Sequence, residues 1–217
     1  MDITKLPVLD AAQIRVLGAL MEKCKTTPDY YPMTLNGLAS ACNQKTSRKP
    51  VVQYDDSTIT TALNALKIAG LISTATGGSI RNIKYKHNFA IVFPLLPSGV
   101  AVMCLLFLRG PQTPGEINTN SGRLYEFETL EEVQQVLEKL ANEEPAYIKQ
   151  LPRKPGQKEQ RYIHLFSGDV EFNEEDYAAD ETPAKSNSQL EERVTKLETE
   201  LAELKENFNK LMKELMG

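Results

Sequence analysis

The residues of this chain that could do chemistry are small polar and cationic side chains, the types that contact nucleic acid. Helical spacing turns five of them away from the apolar side of one predicted helix: Ser57, Thr60, Thr61, Asn64 and Lys67. Six cations precede or follow that helix: Lys45, Arg48, Lys49, Arg81, Lys84 and Lys86. Hydroxyl and amide groups can reach base edges, and cations on either side can hold the phosphate backbone. The set predicts contact with double-stranded DNA; an ordinary solvated surface is the competing interpretation.

Four further cations cluster in a later loop: Arg153, Lys154, Lys158 and Arg161. The helix predicted before this loop turns an acidic and amide face outward: Glu131, Gln135, Glu138 and Asn142. Such a face repels phosphates, so we expect the loop alone to touch DNA backbone while the helix faces a protein partner. A solvated loop beside a structural domain explains the pattern equally well.

Catalysis, cofactors and metals have little support in the sequence. His87 and His164 each end a Tyr-x-His triplet on a predicted strand, and no nucleophile arrangement accompanies either one. Cys24, Cys42 and Cys104 are odd in number and lie in apolar helical contexts, so we expect buried reduced thiols. No CxxC or Cys/His cluster indicates a zinc site. We therefore predict a protein that is not an enzyme and holds no cofactor or metal.

Charge is distributed unevenly along the 217 residues, whose formal net charge is −4. Residues 1–89 carry a net +5, residues 90–168 a net −1 and residues 169–217 a net −8. The acidic balance therefore belongs to the last segment and does not argue against a polyanion partner for the first.

The beginning of the sequence has no apolar signal core, and the most apolar run spans only residues 100–108. A membrane span needs about 20 apolar residues. We therefore expect a cytoplasmic location and no membrane partner.

One order of elements is written twice: helix, helix, helix, then two strands around a polar loop. In the first copy, caps are predicted at Asp10 with Gln13, at Thr34, and at Asp55 or Asp56. The third helix has the core face Ile59, Ala62, Leu63 and Leu66 and ends at Gly70. The strands follow at residues 71–74 and 83–87, around a Gly77-Gly78 turn.

The second copy repeats this order after a connection with two prolines. Its first helix, residues 100–108, is capped by Ser98 and apolar all round, which predicts burial on every side. Its second starts at Pro114. Its third has a Thr129–Glu132 capping box and an inward face of Val133, Val136, Leu137 and Leu140. Strands are predicted at residues 146–149 and 162–164.

This order is typical of winged helices, so we predict a mainly α fold with small β-wings, an α+β class. The predicted domains are two tandem winged helices at residues 1–89 and 90–168, followed by an acidic flexible linker at residues 169–188. Residues 189–217 carry a heptad seam: Leu190, Val194, Leu197, Leu201, Leu204, Phe208, Leu211 and Leu215. The seam predicts a C-terminal coiled-coil helix that self-associates in a homodimer or docks on another protein.

Several long strings in the sequence resemble the YceH family of uncharacterised bacterial proteins. They are residues 15–23, 26–32, 41–45, 114–116, 126–127, 130–133, 151–153, 155–156 and 161–164. The resemblance covers roughly residues 8–168. It implies a tandem winged-helix fold, often with a C-terminal coiled coil, and it brings no established activity or catalytic residues.

Two functions follow from these observations. The first is a homodimeric DNA-binding protein of transcription-regulator type that uses the first winged helix, with two readers on a two-fold-related site. The second is a protein-interaction adaptor resembling the winged-helix accessory subunits of chromosome-organising complexes, with no direct DNA binding. In the adaptor, a protein partner would bind the second winged helix or the coiled coil.

Overall fold

The computed structural model describes residues 5–76, 83–153 and 159–168, together with Lys205. We call residues 5–88 the first half and residues 89–168 the second half. The first half contains these elements: α1 (Ala11–Thr26), a 3₁₀ turn (Pro28–Tyr30), β1 (Met33–Thr34), α2 (Leu35–Cys42), α3 (Asp56–Ile68), β2 (Ile72–Thr76) and β3 (Ile83–His87). The strands form an antiparallel sheet in the order β1-β3-β2, in which Tyr85 lies opposite Met33 on one side and Thr74 on the other.

The second half repeats this order with shorter strands. Its elements are α4 (Phe89–Val92), α5 (Pro97–Arg109), α6 (Pro114–Ser121), α7 (Leu130–Asn142), β4 (Ile148–Gln150) and β5 (Tyr162–His164). β4 and β5 pair antiparallel, and Gln112 forms an isolated bridge to Tyr162 on the other side of β5. The fold is therefore mainly α with small antiparallel sheets, as the sequence predicts for its α+β class.

Helix caps confirm most of the predicted starts. Asp10 and Gln13 form a full capping box on α1, Thr34 caps α2, and the Asp55 carboxylate accepts from Thr58 N at 2.8 Å. Gly70 follows α3 with a φ of 70°, as its predicted role at the end of that helix requires. Thr113 and Glu116 form a further capping box on α6 that the sequence analysis missed.

One predicted cap is wrong, and one predicted capping box is only half formed. Ser98 lies inside α5, because Pro97 starts that helix one residue earlier and Leu96 occupies the cap position without a side-chain bond. Thr129 does cap α7, but the Glu132 carboxylate does not complete the box. It accepts instead from Tyr125 Oη at 2.9 Å and from Glu128 N at 3.0 Å.

The apolar side of each half packs into one continuous core. The inward residues of α3 are buried, as are Val133, Leu137 and Leu140 of α7, while Val136 is half-buried. α5 is buried on nearly every side, as predicted from its uniform apolar character. Cys42 and Cys104 are buried free thiols, whereas Cys24 is only partly covered. The described residues up to Gly168 belong to one compact unit.

The two halves share this core because α1 of the first packs directly on α5 of the second. Gly18 permits the close approach: a Cβ at this position would lie 3.0 Å from Leu108 Cδ2 and from Phe107 Cβ. The predicted connection at residues 89–97 contributes as well, since Phe89 and Phe93 pack against Phe107 and Phe166 with ring centroids 5.0–5.6 Å apart. Whether residues 1–89 and 90–168 are separate folding domains stays a prediction.

No helix within the described residues is both long and apolar enough to cross a membrane. The predicted heptad seam, including Leu190 and Leu215, and the predicted linker lie outside the described residues.

Candidate nucleic-acid interface

The outer face of α3 is exposed along its whole length. All five polar residues predicted there are exposed: Ser57, Thr60, Thr61, Asn64 and Lys67. The cause is the helical repeat, since the four residues on the opposite side are buried against α1 and α2. The structure therefore brings these five side chains together on one surface.

The hydroxyl hydrogens on this face are already used inside the helix. Thr60 Oγ1 donates to Asp56 O at 2.7 Å, Thr61 Oγ1 to Ser57 O at 3.0 Å, and Ser57 Oγ to the Asp55 carboxylate. Each hydroxyl oxygen keeps lone pairs, so the face can accept hydrogen bonds from base amino groups. Within the described part of the chain, the Asn64 amide makes no hydrogen bond and can both donate and accept.

The start of α3 is acidic. Asp55 and Asp56 are both exposed there. The hydrogen bonds that Asp55 accepts from Thr58 and Ser57 lower the pKa of its carboxyl group, so it is ionised at neutral pH. Two carboxylates at this end oppose close contact with phosphates, so any approach to DNA is easiest at the middle and the C-terminal end of the helix.

The hairpin beside α3 adds two exposed cations. Lys84 and Lys86 of β3 point to solvent, while Tyr85 between them is half-buried, as strand alternation requires. Arg81, predicted to belong with them, lies outside the described residues.

The loop between α2 and α3 is closed by an amide clasp. Asn43 Nδ2 donates to Tyr54 O and Tyr54 N donates back to Asn43 Oδ1, each at 2.8 Å. The clasp holds the two ends of the loop together. Lys45 and Lys49 of this loop are exposed, and they precede α3 in the sequence.

Arg48 departs from the prediction that it contacts phosphate. It is only 6% exposed, and its guanidinium is bonded to Glu22 at 3.0 and 2.5 Å, to Ala41 O and to Gln44 Oε1. Burial alone raises the pKa of Glu22, but the hydrogen bonds and charge of Arg48 outweigh it and the pKa lies below its usual value. Arg48 therefore holds the loop to α1 and is not available to DNA.

A second buried arginine was not predicted. Arg15 is 4% exposed within the buried part of α1, and it donates to Cys42 O at 3.2 Å and to Pro50 O at 2.6 Å. Burial lowers its pKa, and the nearby charge of Arg48 acts in the same direction. Arg15 and Arg48 thus satisfy carbonyl groups of a loop that has little secondary structure of its own. The only signal in the sequence is an arginine inside an apolar helical run.

The second half presents a different outer helix. Glu131, Gln135, Glu138 and Asn142 of α7 are exposed, as predicted. Arg153 is exposed as well. Arg161 is paired with both carboxylate oxygens of Glu116, at 2.7 and 2.8 Å, and also donates to Pro111 O, so its guanidinium is already committed. Lys154 and Lys158 lie outside the described residues.

His87 is half-buried and His164 is buried, and their surroundings differ. His87 Nδ1 accepts from Phe89 N at 3.3 Å, whereas His164 Nδ1 has no partner among the described residues and the ring packs edge-on against Phe107. Burial lowers the pKa of each to about 4, so both rings are neutral at pH 7. Burial likewise raises the pKa of the Cys42 thiol to about 12.

Among the described residues, no group of three or more His, Cys, Asp or Glu side chains is placed to hold a metal ion.

These features define a mainly α protein whose two halves repeat one order of elements and turn unlike helices outward. Residues 9–157 match the family described as "Protein of unknown function, DUF480", and the chain belongs to that family.

The chain is also similar over nearly its whole length to proteins named UPF0502. It is 48% identical to one from Solibacter usitatus over 200 residues, covering 92% of this chain and 94% of the relative. It is 44% identical to one from Opitutus terrae over 193 residues, covering 88% and 84%. It is also 44% identical to one from Shewanella sp. strain MR-4 over 215 residues, covering 94% and 97%. The resemblance to this bacterial family is thereby confirmed.

Proposed function

We propose that each half is a winged helix and that the first half binds double-stranded DNA through α3 and β3. The repeated strand pairing supports the fold assignment. In the first half a residue just before the second helix, Met33, pairs with Tyr85. In the second half Gln112, just before α6, pairs with Tyr162. Each half thus has three main helices and a hairpin joined on one edge by the residues that precede its second helix.

The exposed outer face of α3 is the observation that carries the DNA proposal. It offers hydroxyl acceptors and one amide over the middle of the helix, and Lys67 in its last turn. These groups are suited to base edges in a major groove. Lys84 and Lys86 on the neighbouring hairpin are suited to the phosphate backbone, where they would fix the register of the helix without reading sequence.

The proposed assembly is a homodimer held by the heptad tail, with two copies of α3 on one duplex. The test is the sedimentation mass of the full chain and of a variant that lacks residues 189–217. We expect two chains for the first and one for the second. A mass of one chain in both would refute the dimer.

The DNA proposal is tested by titrating a fluorescent mixed-sequence duplex at several salt concentrations. Each phosphate contact contributes about 0.9 to the negative slope of log affinity against log salt. We expect the double variant Lys84→Ala, Lys86→Ala to lower the slope by about 2. Thr61→Glu should abolish binding, because it places a carboxylate in the middle of the reading face.

Matched controls come from the second half. Arg123→Ala with Lys139→Ala removes two exposed cations and the same net charge, so it should leave the slope nearly unchanged. Gln135→Glu is the matched control for Thr61→Glu, because it places a carboxylate on the outer face of α7 instead of α3. No binding by the unaltered chain at about 50 mM salt, or equal effects of the two double variants, would rule out the proposed surface.

A protein-interaction adaptor is the second candidate, and two exposed apolar side chains favour it. Ile68 at the end of α3 is 87% exposed and Ile83 at the start of β3 is 56% exposed. Exposed apolar groups beside a recognition helix suit a protein partner better than a phosphate backbone. Under this function the chain does not bind duplex DNA at about 50 mM salt, and Ile68→Ser with Ile83→Ser abolishes capture of a specific protein by the immobilised chain.

A further inference from the structure

A cleft between the two halves gathers cations away from the outer face of α3. It has a volume of about 270 Å³ and is lined by the loop after α2, the end of α5, residues of α6 and Arg161. Arg48, Lys49, Arg109 and Arg161 line it, together with the carboxylate of Glu116. Arg48 and Arg161 are ion-paired with Glu22 and Glu116, so Arg109 is the cation of interest.

Gln112 lines this cleft, and one of its side-chain donors is unused. The residue is only 4% exposed, and its backbone is fixed by two hydrogen bonds to Tyr162, at 3.1 and 2.8 Å. Its Oε1 accepts from Asn120 Nδ2 at 3.0 Å, whereas its Nε2 is buried without a partner among the described residues. A buried N–H left unpaired costs free energy, so native proteins rarely keep one unless another group supplies the acceptor.

The backbone conformation at the end of α5 places Gln112 beside the edge of β5. Gly110 has φ 71° and ψ −154°, a conformation that is essentially restricted to glycine. It ends α5 and turns the chain so that Gln112 reaches the edge of β5 two residues later. A buried, half-satisfied amide is a costly arrangement unless the amide has a use.

Arg109 brings an under-used guanidinium to the same cleft. Within the described part of the chain its only hydrogen bond is from Nη2 to Ser47 Oγ, at 2.9 Å, and no carboxylate lies within ion-pair distance. Burial lowers the pKa of Arg109; the charge of Glu22 opposes this effect and that of Arg48 adds to it. The group remains protonated at neutral pH, and it lacks a counter-ion.

We propose that the cleft binds the oxyanion of a small molecule, a carboxylate or phosphate group, between Arg109 and the amide of Gln112. The guanidinium offers the paired donors that such groups prefer, and the Gln112 side chain turns its buried Nε2 toward the bound anion to offer one more. Arg48 and Arg161 are ion-paired with Glu22 and Glu116, so they line the cleft without offering free donors. The volume lies just below the range of about 300–1,000 Å³ for drug-sized ligands, which favours a small anion. This proposal does not rest on the proposed DNA binding by α3 and β3.

The test is an NMR titration of the full-length chain labelled with ¹⁵N, following the side-chain signals of Arg109 Nε and Gln112 Nε2. Inorganic phosphate and succinate are added in separate arms at constant ionic strength. The position of a signal is a better readout than melting temperature, because phosphate raises the stability of most proteins through exclusion from their surface. We expect saturable shifts of both signals, and the arm with the tighter binding identifies the oxyanion class.

Variants then locate the bound anion. Arg109→Gln should weaken binding by about tenfold or more, because a hydrogen bond to a charged group is lost, and Arg109→Lys should restore part of it. Gln112→Leu should weaken binding by a smaller factor, about fivefold. Arg123→Gln removes an exposed cation outside the cleft and should change the affinity by less than about twofold, the range expected of a remote surface charge.

Two results would overturn the proposal. One is the absence of saturable shifts in both arms. The other is an equal loss of affinity in Arg109→Gln and Arg123→Gln, which would show general charge attraction rather than a site. A third arm, with duplex DNA, asks whether the cleft belongs to the nucleic-acid surface. Shifts of the Arg109 and Gln112 signals by DNA alone would also reject a small-molecule site.

Discussion

The two halves of this protein repeat one order of elements, yet the helix surfaces that they expose to solvent differ in chemistry. The outer face of α3 has hydroxyl, amide and lysine groups, whereas that of α7 has two glutamates among its four outward residues. The strand tyrosines Tyr85 and Tyr162 occupy corresponding positions in the two hairpins. Duplication of a fold therefore does not imply duplication of its surface, and a function assigned to one half cannot be transferred to the other.

The halves differ in the same way in their use of arginine. Each has a guanidinium bonded to both oxygens of a glutamate. The Arg48 side chain is fully covered and that of its partner Glu22 is 14% exposed, whereas those of Arg161 and Glu116 are 27% and 41% exposed. The stability lost when one partner of an ion pair is removed depends on what then contacts the other partner. Water can replace the guanidinium of Arg161, whereas without Arg48 the largely covered carboxylate of Glu22 keeps only Lys23, whose Nζ lies 3.3 Å from Oε2.

The largest expected effect is therefore a difference between two arginine variants. Arg48→Met should lower the free energy of unfolding by about 3 kcal/mol, because it leaves the carbonyl of Ala41 without its donor and Glu22 with Lys23 as its remaining ion-pair partner. Arg161→Met should lower it by less than about 1 kcal/mol, since water can replace the guanidinium at Glu116. Urea denaturation at pH 7.5 measures both.

A double variant separates loss of the ion pair from loss of packing. Arg48→Met with Glu22→Leu removes both charges, and it should recover most of the stability lost in Arg48→Met. Equal losses for the two single arginine variants would show that burial does not distinguish the pairs.

The second prediction asks whether the halves unfold together. Gly18→Val should lower the free energy of unfolding by about 1–3 kcal/mol, because the added side chain collides with Phe107 and Leu108 of α5. Since α1 and α5 belong to different halves, we expect amides of α3 and α7 to lose hydrogen-exchange protection by the same amount. Protection lost in α3 alone would show that residues 1–89 and 90–168 are separate folding domains.

Gly122→Ala is the matched control for Gly18→Val. A Cβ at Gly122 meets nothing within 4 Å, and the residue already has φ −51° and ψ −24°. Alanine adopts these angles without strain, so this change should leave stability equal or raise it by up to about 1 kcal/mol.

Sequence reasoning placed the elements well because their signals are local. The spacing of Ile59, Ala62, Leu63 and Leu66 determines which side of α3 is buried, and that spacing is visible without knowledge of the rest of the fold. Capping pairs such as Asp10 with Gln13 are local for the same reason.

The sequence could not predict which cations are buried. Arg48 and Lys49 are neighbours in a polar loop, yet one is buried against Glu22, 26 positions earlier, and the other is exposed. The same holds for Arg161, whose carboxylate partner Glu116 is 45 positions away. Such pairings depend on tertiary contacts, and side-chain type alone does not encode them. The cleft at Arg109 and Gln112 is invisible for the same reason, since it exists only where the halves meet.

The smallest effect concerns the histidines of the two Tyr-x-His triplets and appears only as pH falls. The pKa of His164 is lowered by burial to about 4, below the value near 6.5 expected in the unfolded chain. Between these values the unfolded chain binds a proton that the folded chain does not, so stability falls as pH falls through this window. For His164 the loss between pH 7.5 and pH 5.0 should be about 2 kcal/mol. Glu22 contributes little to it, because even in the unfolded chain the pKa of a glutamate is about 4.3, below this pH range.

His164→Phe removes this proton-binding group and keeps an aromatic ring against Phe107. We therefore expect the free energy of unfolding of this variant, measured by urea denaturation, to fall between pH 7.5 and pH 5.0 by about 2 kcal/mol less than that of the unaltered chain. The remaining loss arises largely from His87. His87 has the same direction of shift, but its Nδ1 accepts a hydrogen bond from Phe89 N that protonation would break. If His164→Phe lost as much stability between pH 7.5 and pH 5.0 as the unaltered chain, His164 would be protonated in the folded protein at pH 5. The two triplets would then differ in their buried chemistry as well as in the surfaces beside them.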